Sequence, residues 1–122
     1  MKKLFALSLL FLAACSPSVK EISPRDLKKD ALILDVRTPE EYQTISLGRK
    51  HWFVPLNKLD AAKFIQEYKL DSSTPLYILC RTGKKAAVAA KQFENVGFKN
   101  VVVIQGGIVA AEKAGLPIKN GH

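Results

Sequence analysis

The sequence predicts an α/β fold built on a mostly parallel sheet, and three observations lead there. Short continuous apolar runs recur at 31–36 (ALILDV), 51–56 (HWFVPL), 75–80 (PLYILC) and 101–104 (VVVI). Runs of that length without polar alternation suit strands covered on both faces. Between them lie segments with helix start signals and helix-forming composition, the pattern of strands joined by crossover helices. Finally, the 108 residues from Cys15 onward have the length of one domain with one core.

The elements follow in order. At 23–29 (SPRDLKK), Ser23 is placed to cap a helix, with Pro24 at its first position and Asp26 in its first turn. ALILDV is the first strand. Thr38 then caps a short helix opening Pro39-Glu40-Glu41, with Tyr42 and Ile45 on its inner side. HWFVPL is a second strand, closed by Pro55. Asn57 is expected to cap a helix over KLDAAKFIQEYKL, where Leu59, Ala62, Phe64, Ile65 and Tyr68 follow helical spacing. PLYILC is the third strand. The alanine-rich stretch 85–98 (KAAVAAKQFENVGF) is a strong helix former ended near Gly97. VVVI is the fourth strand, Gly106-Gly107 a turn, IVAAEKA a short last helix, and GLPI closes the domain. In open sheets of this type ligands sit beyond the carboxyl ends of the strands. Cys80 lies at such an end.

The N-terminus, MKKLFALSLLFLAACS, has a basic start in Lys2 and Lys3, an apolar stretch from Leu4 to Leu12, and small residues before Cys15. That is the layout of a secretory signal. The uncharged run from Leu4 to Ser18 is shorter than the ~20 residues a bilayer-spanning helix needs. Leu12-Ala13-Ala14-Cys15 resembles the lipobox of bacterial lipoproteins. The resemblance implies a diacylglycerol on the Cys15 thiol, cleavage before it and acylation of the new amine. Ser16, in place of an aspartate, implies passage to the outer membrane, facing the periplasm. The formal net charge of +8 includes Lys2 and Lys3, which leave with the signal. The remaining lysines are scattered in ones and twos, as on a solvated surface, and no nucleic-acid partner is expected.

Two cysteines are present in the chain. With lipid on Cys15, Cys80 has no partner within it, and an unpaired thiol in an oxidising compartment is either inert or reactive. Its surroundings favour reactivity. Gly83 permits a loop with positive φ, the following helix offers unpaired N–H groups, and Arg81, Lys84 and Lys85 add positive charge. Each favours thiolate over thiol, and the same cradle binds anions. Two chemistries with this layout are excluded. Tyrosine-phosphatase catalysis needs an arginine six positions after the cysteine, where Ala86 stands, and thioredoxin-type exchange needs a second cysteine where Gly83 stands. Cysteine, histidine and carboxylate residues show no metal-ligand spacing. Gly106-Gly107 is too short for a dinucleotide fingerprint. His51, between Lys50 and Trp52, reads as a packing or surface residue.

Three blocks, DVRTPEEY at 35–42, CRTGKKA at 80–86 and IQGGIVAAEKAGLPI at 104–118, resemble in order and spacing the signature segments of the rhodanese domain. The resemblance implies a three-layer domain with a central sheet of about five strands and helices on both faces. Together with the lipobox likeness, it divides the chain into a signal peptide (1–14), a lipid anchor and tether (15–22), a rhodanese domain (23–118) and a short tail (119–122). It further implies a thiosulfate-sulfurtransferase-like enzyme, working without a cofactor. Cys80 would be the nucleophile and persulfide carrier. Arg81, Lys84 and Lys85 would attract a small anionic sulfur donor, Thr82 and Gly83 would supply loop amides, and cyanide or a thiol would be the acceptor. Asp35 and Arg37 match an Asp-x-Arg pair expected to support the site structurally. A low-turnover sulfur carrier or thiol-sensing module is the alternative. A domain this small can act as a monomer. The chain departs from the family pattern at 46–56 (SLGRKHWFVPL), where Arg49-Lys50 interrupt it. It departs also at Ala111, where the family has a tryptophan whose volume Trp52 is the candidate to fill, and at Thr82, where some thiosulfate-specific members have lysine.

Overall fold

The computed structural model describes residues 19–121. Cys15, the signal segment and the start of the tether lie outside the described residues. The apolar runs form the centre of a five-stranded sheet of β1 (Lys20–Ile22), β2 (Leu32–Asp35), β4 (Trp52–Phe53), β5 (Leu76–Leu79) and β6 (Val101–Ile104). Their order is β1-β6-β5-β2-β4 and every pairing is parallel. β3 (Ile45–Leu47) pairs antiparallel with β7 (Ile118–Asn120) in a separate two-stranded ribbon.

Alternation along the strands divides the core into two layers. Leu34, Val36, Leu76, Ile78, Val101 and Val103 face α2 (Ala61–Glu67) and α3 (Lys84–Asn95). Ile33, Leu79 and Ile104 face the other way, toward α4 (Gly107–Lys113) and the ribbon. The architecture is therefore three-layered and α/β, as the sequence predicts. The alanines of α3 follow from this packing. Ala86, Ala89 and Ala90 are fully buried, and only small side chains let the helix approach β5 and β6 so closely.

Several boundaries differ from those expected. Residues 20–22, assigned to the tether, form β1, with Lys20 beside Val102. Lys119 and Asn120, assigned to a tail, pair with Ser46 and Ile45. The start signal at Ser23 yields one 3₁₀ turn, Pro24–Asp26, because the chain must be extended again at β2. Asn57 lies in a second 3₁₀ turn, Leu56–Lys58, and Asp60 caps α2 instead, its side chain accepting from the Lys63 N–H. Trp52 does not replace the missing tryptophan. It packs against Phe64 and Tyr68 on one side of the sheet, whereas Ala111 is buried on the other.

The interrupted corner at 46–56 also has a physical account. Arg49 Nη2 lies 3.0, 2.6 and 3.3 Å from the carbonyls of Lys28, Lys29 and Ala31, clipping the turn before β2 to the turn before β4. His51 Nδ1 is 2.6 Å from the Arg49 carbonyl and its Nε2 2.7 Å from the Tyr42 hydroxyl. A carbonyl only accepts, so Nδ1 carries the proton, and in the neutral ring Nε2 accepts from the tyrosine.

The candidate active site

Cys80 directly follows β5, at the carboxyl pole of the sheet, with a relative exposure of 1%. The chain then turns through Arg81, Thr82 and Gly83 into α3. Gly83 has φ +111° as the residue preceding α3, a conformation that excludes most side chains. Its N–H donates to Cys80 Sγ at 2.7 Å. The loop thus aims a backbone amide at the sulfur in front of a helix N-terminus, whose aligned peptide dipoles place partial positive charge there. Arg81, Thr82, Lys84 and Lys85 are exposed around this buried sulfur, and Gly83 is half-buried. Cys80 to Lys85, expected to hold the donor, span this loop and the first turn of α3.

Asp35 ends the neighbouring strand, β2, opposite Leu79, and Arg37 follows just beyond it. The Val36 N–H donates to the Leu79 carbonyl at 2.9 Å, so β2 and β5 run side by side up to the cysteine. Asp35 is 0% exposed and Arg37 1%. The guanidinium grips the carboxylate through Nε and Nη2, with Nη2 at 2.9 Å from Oδ2. Its remaining donors reach the carbonyls of Glu41 and Ile45 at 3.2 and 2.7 Å. Arg37 therefore ties β2, α1 (Pro39–Thr44) and β3 together. Both charges are satisfied from within the fold, as a buried ion pair requires.

Thr38 and Glu41 form a reciprocal capping box at the start of α1. Burial raises the Glu41 carboxyl. The Thr38 backbone N–H and hydroxyl, with the charges of Lys85 and Arg37, outweigh that and hold it below the usual carboxylate range. A depressed carboxyl adds stability that is present above its unfolded value and lost as pH falls through its folded one. Glu41→Gln is therefore expected to cost about 0.5–1 kcal/mol near neutrality. The gap in urea midpoint should begin to narrow as pH falls past about 4 and close as it drops through the depressed folded value; a gap that never narrowed on acidification would rule out the charge as its source. Lys85 also lines a cleft of about 490 Å³ with Arg37, Thr38, Pro39, Pro55 and Leu56, beside the cysteine loop.

One contact of the cysteine loop goes beyond what the sequence led us to expect. Gly106 and Gly107, expected only as a turn, abut the cysteine loop. The Ile108 N–H donates to the Cys80 carbonyl at 2.8 Å and the Val109 N–H to that of Arg81 at 3.4 Å. A Cβ at Gly107 would collide with both of those carbonyls, and Gly107 has φ +60°. The start of α4 thus clamps the peptide that carries Cys80. Gly107→Ala is expected to lower turnover by about a hundredfold through misplacement of Cys80 and to destabilise the fold by ~2–4 kcal/mol. Near-native turnover would show that the clamp is dispensable. A double glycine following the strand beside the cysteine strand was the available signal.

Among the described residues no group of His, Cys, Asp and Glu could hold a metal ion. Residues 19–114 match the Rhodanese-like domain family. The chain belongs to the rhodanese family. It is 33% identical over 99 residues to the adenylyltransferase and sulfurtransferase UBA4 of Candida albicans, covering 71% of this chain and 22% of that protein. It is 27% identical over 92 residues to the thiosulfate sulfurtransferase GlpE of Vibrio cholerae, covering 75% of this chain and 82% of that one. The rhodanese chain spans only 19–26% of the length of the adenylyltransferase and sulfurtransferase relatives it matches. The crystal structure of a rhodanese-like domain protein from Staphylococcus aureus shares the fold, with a TM-score of 0.63 at 23% identity over 84% of this chain and all of that one.

Proposed function

We propose that this rhodanese is a sulfurtransferase of the bacterial envelope, passing sulfane sulfur from thiosulfate or a similar donor to cyanide or a thiol through Cys80. Family membership and the sulfurtransferase relatives support sulfur transfer in general. The observation that carries the finer reading is the Gly83 N–H donating to Cys80 Sγ within a loop rimmed by Arg81, Lys84 and Lys85.

In the first half-reaction the Cys80 thiolate attacks the outer sulfur of the donor. The donor's S–S bond breaks, its electron pair leaves with sulfite, and a persulfide remains on Cys80. In the second, cyanide or a thiolate attacks the outer persulfide sulfur, and the bonding pair returns to Cys80 as thiolate. No net oxidant or reductant is required. The cationic rim draws in the dianionic donor and stabilises the departing sulfite, while the loop amides of Thr82 and Gly83 hold the outer sulfur. Asp35 and Arg37 keep the loop in place. We further assign Cys15 as a lipid anchor holding the domain, as a monomer, to the outer membrane on its periplasmic side. The basic, apolar and small-residue order of residues 2–15 supports this.

The near-complete burial of Cys80 favours a second reading, a sulfur carrier that turns over slowly because acceptors reach its sulfur with difficulty. Treating the protein with a panel of sulfane donors and weighing its peptides tests both. One added sulfur on the Cys80 peptide, lost again on cyanide addition with thiocyanate released, is expected. Sulfur that loads but is not released to cyanide or thiols would leave the carrier reading. No added sulfur with any donor would overturn both.

A further inference from the structure

Because all five strands of the main sheet are parallel, their starts share one pole and Cys80 lies at the other. The turns that lead into those starts are basic. Lys28 and Lys29 precede β2, Arg49 and Lys50 precede β4, Lys69 lies before β5, Lys99 before β6, and Lys20 opens β1. All but Arg49 are exposed, and they outnumber the acidic residues of those turns, Asp30 and Asp71. The flanks mix signs instead: Lys63 with Glu67 on α2, Lys91 with Glu94 on α3, Glu112 with Lys113 on α4. The chain enters the domain at this same basic pole.

We propose that this pole docks on anionic lipid headgroups and turns Cys80 away from the membrane. The inference rests on the assignment of Cys15 as the lipid-bearing residue. Chain length then sets the geometry. From Cys15 to Lys20 the chain reaches at most about 17 Å even when fully extended. A domain of this size is roughly 30 Å across. The cationic rim of Cys80 would also attract anionic lipid, but with Lys20 at the opposite pole the tether is too short to lay that rim on the surface. Among the orientations the tether allows, charge selects the basic pole. Each lysine near an anionic surface adds attraction that salt weakens. Donors and acceptors would then reach Cys80 from the aqueous side.

The only tryptophan in the sequence reports on this arrangement. Trp52 lines a cavity of about 330 Å³ at the basic pole with Lys29, Ala31, Leu32, Arg49 and Lys50. The test uses the full protein purified from membranes, with lipid at Cys15 checked by intact mass, reconstituted on vesicles carrying a headgroup nitroxide. Trp52 fluorescence should be quenched about twofold more on phosphatidylglycerol-containing vesicles than on neutral phosphatidylcholine. The difference should vanish at about 0.5 M salt and in Lys29→Glu/Lys50→Glu, with Lys29→Gln/Lys50→Gln intermediate and circular dichroism unchanged in both. Equal quenching on both vesicle types, with the protein retained on both, overturns the docking and leaves the anchor standing. Absence of lipid at Cys15 with no retention on neutral vesicles overturns the anchor, and the docking with it. Binding of the lipid-free protein to anionic vesicles and to other polyanions alike would mark the pole as a general anion surface and likewise sink the proposal.

Discussion

Cys80→Ser is expected to abolish sulfur transfer, lowering thiocyanate formation by at least about a thousandfold. The oxygen of serine cannot take up and return a sulfane sulfur, so the covalent intermediate is lost and not merely slowed. The substitution is small, and the serine hydroxyl still accepts from the Gly83 N–H that now meets Sγ at 2.7 Å. The loop should therefore keep its shape, with the urea midpoint moving by less than about 1 kcal/mol in free energy. Activity within tenfold of the native protein would mean that the sulfur passes elsewhere.

The largest expected loss of stability comes from Arg37→Leu. It leaves the fully buried Asp35 carboxylate without its counter-charge and removes donors from the carbonyls of Glu41 and Ile45. Breaking a buried pair from one side costs about 3–5 kcal/mol, against a total stability of about 5–15 kcal/mol for a domain. That predicts a fall in melting temperature of about 15 °C or more. Removing both charges, as Asp35→Leu with Arg37→Leu, should recover part of the loss, because no bare charge is then buried. A loss below about 1 kcal/mol for the single variant would show that water or another donor takes the place of the guanidinium.

The strands containing Leu34, Ile78 and Val103 were legible because each is buried on both faces and carries an unbroken apolar run. The position of Cys80 at the mouth of a basic, glycine-containing loop was legible because an apolar run reads as a strand before it and an alanine-rich stretch as a helix after it. β1 and β7 were not, since each has three residues and mostly exposed side chains. They are strands because a distant partner completes their hydrogen bonds, and sequence patterns do not carry that information. The side of the sheet on which Trp52 sits depends on register, where one residue's shift exchanges the faces. Gly107 escaped for the same reason. Its contact with Cys80 joins loops far apart in the chain and leaves no local periodicity.

The pairing of Lys20 with Val102 bears on how the polypeptide is made. Synthesis delivers β1 before the other strands, yet its sheet neighbour among the described residues, β6, follows every other strand of the main sheet. A nascent chain halted before β6 has an unpaired leading strand and lacks the Ile108 amide that grips the Cys80 carbonyl. The main sheet therefore closes only once β6 has been made, and Cys80 acquires its final setting only after α4 has joined the loop.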